Sequence, residues 1–309
     1  MKKFAFLFAL SAVCVFISPG CNKRSPFIPD APHLTSVQIK SDRDTTRYDY
    51  EYDGSGRVSR ILTTQNNQPR TTFYDIRYNG NEIILTQSGL STPDHNLRDT
   101  IHLFTDGNNQ VLKRIKKQFS EYTGPNHNPQ RSWHYDTTTY EYNADGLLMK
   151  SIRSSYDTTW YNPGSPRTTV VRSLATTTHT INDGNLVQTK EITNIAQVER
   201  TTTDVFFDNR STELTKNFRY NLSYLNKTDF SNAAVLSEVN WFSQIPFNKK
   251  YRNLPNHIDV VLILKDQNGS VNGSLSTQFS YQYTYNANGF IDSRDQLGPF
   301  EKVTYEYEK

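Results

Sequence analysis

Thr139–Ile152, TYEYNADGLLMKSI, is the stretch whose reading decides the fold. Tyr140 and Tyr142 alternate with polar residues, so in an extended chain both rings fall on one face. Asn143, Ala144, Asp145 and Gly146 then supply a tight reversal, because Asn and Asp accept turn geometry and Gly takes positive φ without a Cβ clash. Leu147 to Ile152 run back as the second arm, which makes the stretch a β-hairpin. Variants recur as YEYDGSGRVSRI from Tyr50 and YTYNANGFIDSR from Tyr283, with weaker forms FTDGNNQVLKRI from Phe104 and HTINDGNLVQTK from His179.

Around this unit the same pattern fills the chain from Leu34 onward. SVQIKS, TTRYDYEYDGSGRVSRILTT, TTFYDIRYNGNEIILTQS and the segments after them alternate apolar with polar residues and reverse at Gly, Asn or Asp. Hairpins in series predict an all-β, up-and-down antiparallel meander of about 15 strands. A flat sheet that wide would leave two long edges and curl under its own twist, so closure into a soluble, barrel-like sheet is expected. The rhythm breaks over 221–255. There Ser231 as a cap, with Val235, Val239 and Phe242 on one face, predicts a short helix followed by an ordered loop, packed across a barrel end or over an edge. The strand pattern resumes with HIDVVLILKD and ends in VTYEYEK.

Hydrophobic residues make up 35% of the 309 positions, and mean hydropathy is -0.71. The apolar material must therefore be concentrated on one face of each element. Nineteen Tyr and 17 Phe against 2 Met is a sheet-forming bias.

The first twenty residues differ in kind. Lys2 and Lys3 form a basic start, Phe4 to Ile17 an apolar run too short to span a bilayer comfortably, and Ser18, Pro19 and Gly20 lead into Cys21. This resembles the lipobox of bacterial lipoproteins, in which the Cys is acylated and becomes the mature N-terminus. On that reading residues 1–20 are a lipoprotein signal peptide, 21–33 a proline-punctuated tether, and 34–309 a single barrel-like domain. Cleavage removes Cys14, leaving no thiol to pair with Cys21, and takes the formal charge from +3 to +1. A nearly neutral chain gives no electrostatic case for nucleic acid. The expected membrane attachment is the lipid.

Chemistry is harder to find. His33, His95, His102, His127, His134, His179 and His257 show no HExxH or HxH spacing, so no metal or other cofactor is expected. Asp136, Glu141, Asp145 and Asp157 lie near one hairpin, where a barrel could bring two carboxylates to a hydrolytic spacing. Asp266, Asn268 and Ser270 have the alternate oxygens of a calcium loop, but Thr277 stands where the bidentate Glu belongs, and a polar turn explains the same residues. No nucleophile elbow or phosphate cradle occurs, so an enzyme is not expected. The tyrosine stripe suits cross-strand packing; Trp133, Trp160 and Trp241, if exposed, would stack on a glycan or an apolar small ligand.

Two resemblances follow from these residues. The units at Tyr50, Tyr52, Asp53 and Gly56, at Tyr140, Tyr142, Asn143 and Gly146, and at Tyr283, Tyr285, Asn286 and Gly289 look like the YD repeats of the rearrangement hotspot proteins. Those proteins build shells from dozens of copies, and here the copies are few and widely spaced. The lipobox at Cys21, the serial hairpins, and PFNKKYRNLPNHI ahead of a YxYNxxG hairpin and a final YEY strand resemble a family of uncharacterised bacterial lipoproteins with a porin-like fold. That resemblance implies a porin-like barrel over Leu34–Lys309 and carries no activity. Charges on both hairpin arms, among them Arg57, Arg60, Lys113, Arg114, Lys116 and Lys117, argue against a membrane-spanning wall. The expected protein is a lipid-anchored, non-catalytic binding or structural module of the Gram-negative envelope, at the outer membrane, with periplasmic and surface facing both open. The alternatives are a glycan hydrolase with two barrel-lining carboxylates, or a subunit of an envelope complex.

Overall fold

A strand that alternates apolar with polar side chains is satisfied only when its apolar face is covered. In the computed structural model the meander covers that face by closing on itself. Residues 33–66, 68–87, 95–107, 110–122, 130–161, 167–201, 205–225, 252–297 and 301–308 are described. They form β1 Leu34–Ser41, β2 Thr45–Tyr52, β3 Val58–Gln65, β4 Thr71–Asn79, β5 Glu82–Gln87, β6 His95–Thr105, β7 Val111–Tyr122 and β8 Gln130–Tyr142. The second half comprises β9 Leu148–Tyr161, β10 Arg167–Asn182, β11 Asn185–Arg200, β12 Val205–Leu225, β13 Asn253–Lys265, β14 Val271–Tyr285, β15 Ile291–Leu297 and β16 Glu301–Tyr307. Each strand pairs antiparallel with the next, and β16 pairs with β1 to close a sixteen-strand barrel. No helix occurs among the described residues.

The closing seam is reinforced from outside. Arg47 on β2 donates through both guanidinium nitrogens to Glu306 on β16, at 3.1 and 2.8 Å, and Ser36 between them donates to the same carboxylate at 2.8 Å.

The tight reversals share one construction. At Asp53, Asn143, Asp266 and Asn286 the residue's own N–H donates to the carbonyl four residues on, and the N–H of a Gly three residues on donates back to its carbonyl. The side-chain oxygen accepts the backbone N–H four residues on. The Gly must turn left-handed for the arms to meet, and Gly146 has φ 78°.

One face of the sheet points into the barrel. There Val37 stands between Tyr48 and Tyr305, Ile61 between Tyr50 and Tyr74, and Leu85 between Ile76 and Ile101. These side chains join Val58, Leu103, Val111, Leu186, Phe218, Ile258 and Tyr283 in one core. The core lies at the barrel end that carries the β2–β3, β6–β7 and β14–β15 turns, and strands from nearly the whole circumference contribute to it. That end of the lumen is filled, and each large side chain so buried contributes about 1.5–3 kcal/mol.

The wall is uneven. β5 spans 6 residues and β16 spans 7, whereas β10 and β11 each span 16 and β12 spans 21. The arc from β8 to β14 therefore rises past its shorter neighbours on the side away from the core.

Two expectations change in detail. The strand count is sixteen. The expected insertion at 221–255 is narrower, because β12 continues to Leu225 and β13 begins at Asn253, with Leu225 paired to Asn253 and Tyr220 to Pro255. Backbone pairing between β12 and β13 holds these ends as strand despite Pro255, which sits at a register shift where a missing N–H is tolerated. The helix assigned to Ser231, Val235, Val239 and Phe242 lies outside the described residues. So do the signal peptide and most of the tether.

Candidate functional site

Above the core the luminal side of β6–β10 is polar. Register sets Asp99, Gln118, His134 and Asp157 in one row and Lys116, Asp136, Ser155 and Ser173 in the next. Asp136, 2% exposed, is the centre. It accepts from Arg114 through both oxygens at 2.9 Å and from Nε2 of His134 at 3.0 Å, while Nδ1 of His134 bonds Asp157. The result is a continuous line, Arg114, Asp136, His134, Asp157, across three strands.

Electrostatics follow from this geometry. The hydrogen bond to Asp136, joined by that to Asp157, outweighs burial and raises the His134 pKa. Burial pushes the Asp136 carboxyl up, but the His134 hydrogen bond and the Arg114 charge prevail and hold it below its ordinary value. Beside this line Nζ of Lys116 lies 3.2 Å from Asp99, which also accepts the Tyr74 hydroxyl at 3.1 Å. Asp99 Oδ1 and Thr138 Oγ1 are buried without a hydrogen-bond partner among the described residues. Further round, Glu191 accepts Thr177 and Thr193 at 3.0 and 3.2 Å. His179 nearby is buried with Nδ1 unpartnered among the described residues, and burial pushes its pKa down to about 4.

Of the carboxylates singled out from sequence, the fold unites Asp136 and Asp157. Glu141 faces outward with Lys150, and Asp145 stays in its turn. The calcium-like run is a reversal: Asp266 Oδ1 accepts the N–H groups of Asn268 and Ser270 at 2.8 and 2.9 Å. His33 stacks on Tyr52 at 4.5 Å, and His102 and His257 pair with Glu82 and Asp259 on the outer face. His127 and the side chain of His95 lie outside the described residues. Trp133 points outward, 45% exposed and 5.4 Å from Phe119, and Trp160 lies outward beneath the Arg131 guanidinium at 5.8 Å. Trp241 and Cys21 lie outside the described residues.

The lumen is thus not the open space a wide barrel suggests. Aliphatic side chains and tyrosine rings fill one end, and paired charges line the β6–β10 side above it. The sequence did carry one signal for the central line, since His134 and Asp136 are two apart on a strand and must share a face.

No family model matches the chain, and no curated protein does. Among solved structures it is similar to a porin-like protein from Bacteroides vulgatus ATCC 8482, with a TM-score of 0.50, 11% identity, and coverage of 90% of this chain and 99% of that one. At that identity the likeness is one of fold.

Proposed function

We propose that this chain is a lipid-anchored protein of the cell envelope whose barrel is a non-catalytic binding or structural module, with a glycan or an apolar small molecule as ligand. The observation that carries this reading is a lumen filled by the core at one end and lined by paired charges on the β6–β10 side above it, an arrangement suited to holding a polar group and unsuited to a through-channel. The outer wall supports it. Arg60 with Glu51 and Asp75, Arg219 with Asp259, and Lys302 with Asp295 form ion pairs where acyl chains would have to lie. The porin-like neighbour agrees in architecture, and the leader over residues 1–20 followed by Cys21 supports the anchor.

Hydrolysis is the weaker reading. A glycosidase needs one carboxyl kept protonated to donate to the leaving group, and Asp136 is pushed the other way. The test is metabolic labelling of the full chain with radioactive palmitate, together with conductance in planar bilayers. Label that disappears in Cys21→Ser, and no stepwise conductance, are expected. Unlabelled protein or stable ohmic steps would overturn the proposal.

A further inference from the structure

On the tall arc, away from the lumen, lies a second concavity. Tyr156 on β9, Arg172 and Leu174 on β10, Asn194 on β11 and Asn209 on β12 alternate outward. With the β13–β14 turn at Asp266–Gly269 they line a cavity of about 780 Å³. That size lies within the range of sites for small organic ligands.

The lining has a specific chemistry. Tyr156 and Leu174 are 41% and 48% exposed, a flat apolar floor that the fold leaves uncovered. Tyr135, directly opposite Tyr156 on β8 and 42% exposed, extends that floor. Asn194 and Asn209 each bring two N–H donors and a carbonyl acceptor, a set that matches neighbouring hydroxyls. The charged lining residues are Arg172, Arg210 and Asp266. Oδ1 of Asp266 accepts two N–H groups of its own turn, and Arg210 pairs with Asp208 at 3.5 Å. Arg172 lies 5.6 Å over the Tyr156 ring and has no carboxylate partner among the described residues. Apolar ring faces beside amides and an uncompensated guanidinium fit a sugar that carries a carboxylate.

We propose that this cleft binds carboxylate-bearing oligosaccharides, with Tyr156 stacking on a sugar face and Arg172 pairing with the acid. The inference deepens the binding-module reading and rests on it, but it places the ligand on the outer wall. An apolar floor paired with a planar bidentate donor is selective: stacking holds any sugar, and the guanidinium holds the acidic one.

Calorimetry on the full chain in detergent, with a galacturonic acid pentamer and its fully methyl-esterified form, tests this. The acid should bind saturably, and the ester at least tenfold more weakly. Arg172→Gln should weaken the acid at least tenfold and leave the ester unchanged, whereas Tyr156→Ala should weaken both. Both side chains are exposed, so thermal unfolding should match the parent and exclude misfolding as the cause. Binding that neither variant weakens overturns the cleft and leaves the binding-module reading standing. No binding of the acid pentamer also overturns the cleft, while palmitate labelling at Cys21 judges the anchored reading separately.

Discussion

The hydroxyl of Tyr142 donates a 2.5 Å hydrogen bond to the carbonyl of Val111, across the foot of the β7–β8 pair. The ladder between these strands ends at Lys113 opposite Thr139, so that carbonyl lies beyond the β7–β8 ladder. Tyr52 treats Leu34 in the same way at 2.6 Å, Tyr78 treats Val58 at 2.9 Å, Tyr283 treats Pro255 at 2.8 Å, and Tyr220 treats Leu186. A tyrosine at the end of an even-numbered strand caps the start of the strand before it. Phenylalanine would supply the ring and not this bond. Tyr142→Phe should therefore cost about 1 kcal/mol, the worth of one hydrogen bond whose acceptor is left without it. Urea unfolding of Tyr142→Phe beside Tyr156→Phe, which alters an exposed ring, checks this. Equal stability of the two variants would show that the ring alone matters.

Gly146 and Gly54 sit at different positions of equivalent reversals, Gly56 being the counterpart of Gly146. Gly146 has φ 78°, while Gly54 is not left-handed and has nothing within 4 Å of where a Cβ would stand. Gly146→Ala should destabilise by about 1–2 kcal/mol, the cost of placing a Cβ in the left-handed region. Gly54→Ala should be neutral or stabilise by a few tenths of a kcal/mol through the unfolded chain. Denaturant midpoints decide, and matched losses would refute the conformational account.

These positions show how far the fold was legible. Period-two tyrosines and Asx-Gly turns are local signals, and TYEYNADGLLMKSI carries both, so strands, reversals and the antiparallel order could be read directly. Closure followed from the need to cover two long edges. The filling of the lumen was not legible, because whether Tyr50 is buried or meets open solvent depends on barrel radius and tilt rather than on neighbouring residues. The central line was only half legible. His134 and Asp136 share a face by alternation, but Asp157 and Arg114 reach them through strand pairing, at separations no local pattern encodes. The cleft was less visible still, since Tyr156 and Asn209 lie on separate strands and a distant turn completes it.

His179 makes stability depend on pH in one direction. Its folded pKa is pushed from 6.5 to about 4 by burial, so the unfolded chain takes up a proton before the folded chain does. The penalty is absent above pH 6.5, begins as pH falls through the unfolded value, and is complete once folded His179 is protonated near pH 4. Over that window its contribution should fall by about 2–3 kcal/mol, the linkage value of such a shift. His179→Gln should flatten that part of the profile in chemical unfolding measured from pH 7 to pH 4. An unchanged slope would assign the acid sensitivity to other groups.

Asp136 gives the converse case, because it holds charges in place rather than resisting one. Arg114 and His134 both point at a carboxylate that is 2% exposed. Asp136→Asn keeps the shape and removes the charge, leaving two cationic groups facing a neutral amide in a poorly hydrated wall. Breaking a buried pair from one side costs about 3–5 kcal/mol, while Asp145→Asn, in an exposed turn, should cost little. The hydrogen bond to Asp136 is the largest influence raising the His134 pKa, so that pKa should fall in the variant even though Asp157 remains. The raised value means that the His134 contribution is fully present below about pH 6.5 and is lost as pH rises through the folded pKa, opposite in sense to His179. Proton NMR of the His134 ring across pH 5 to pH 9, in parent and Asp136→Asn, reads the shift directly. A His134 pKa unmoved by the substitution would mean that the luminal line is a row of neighbours rather than a coupled network.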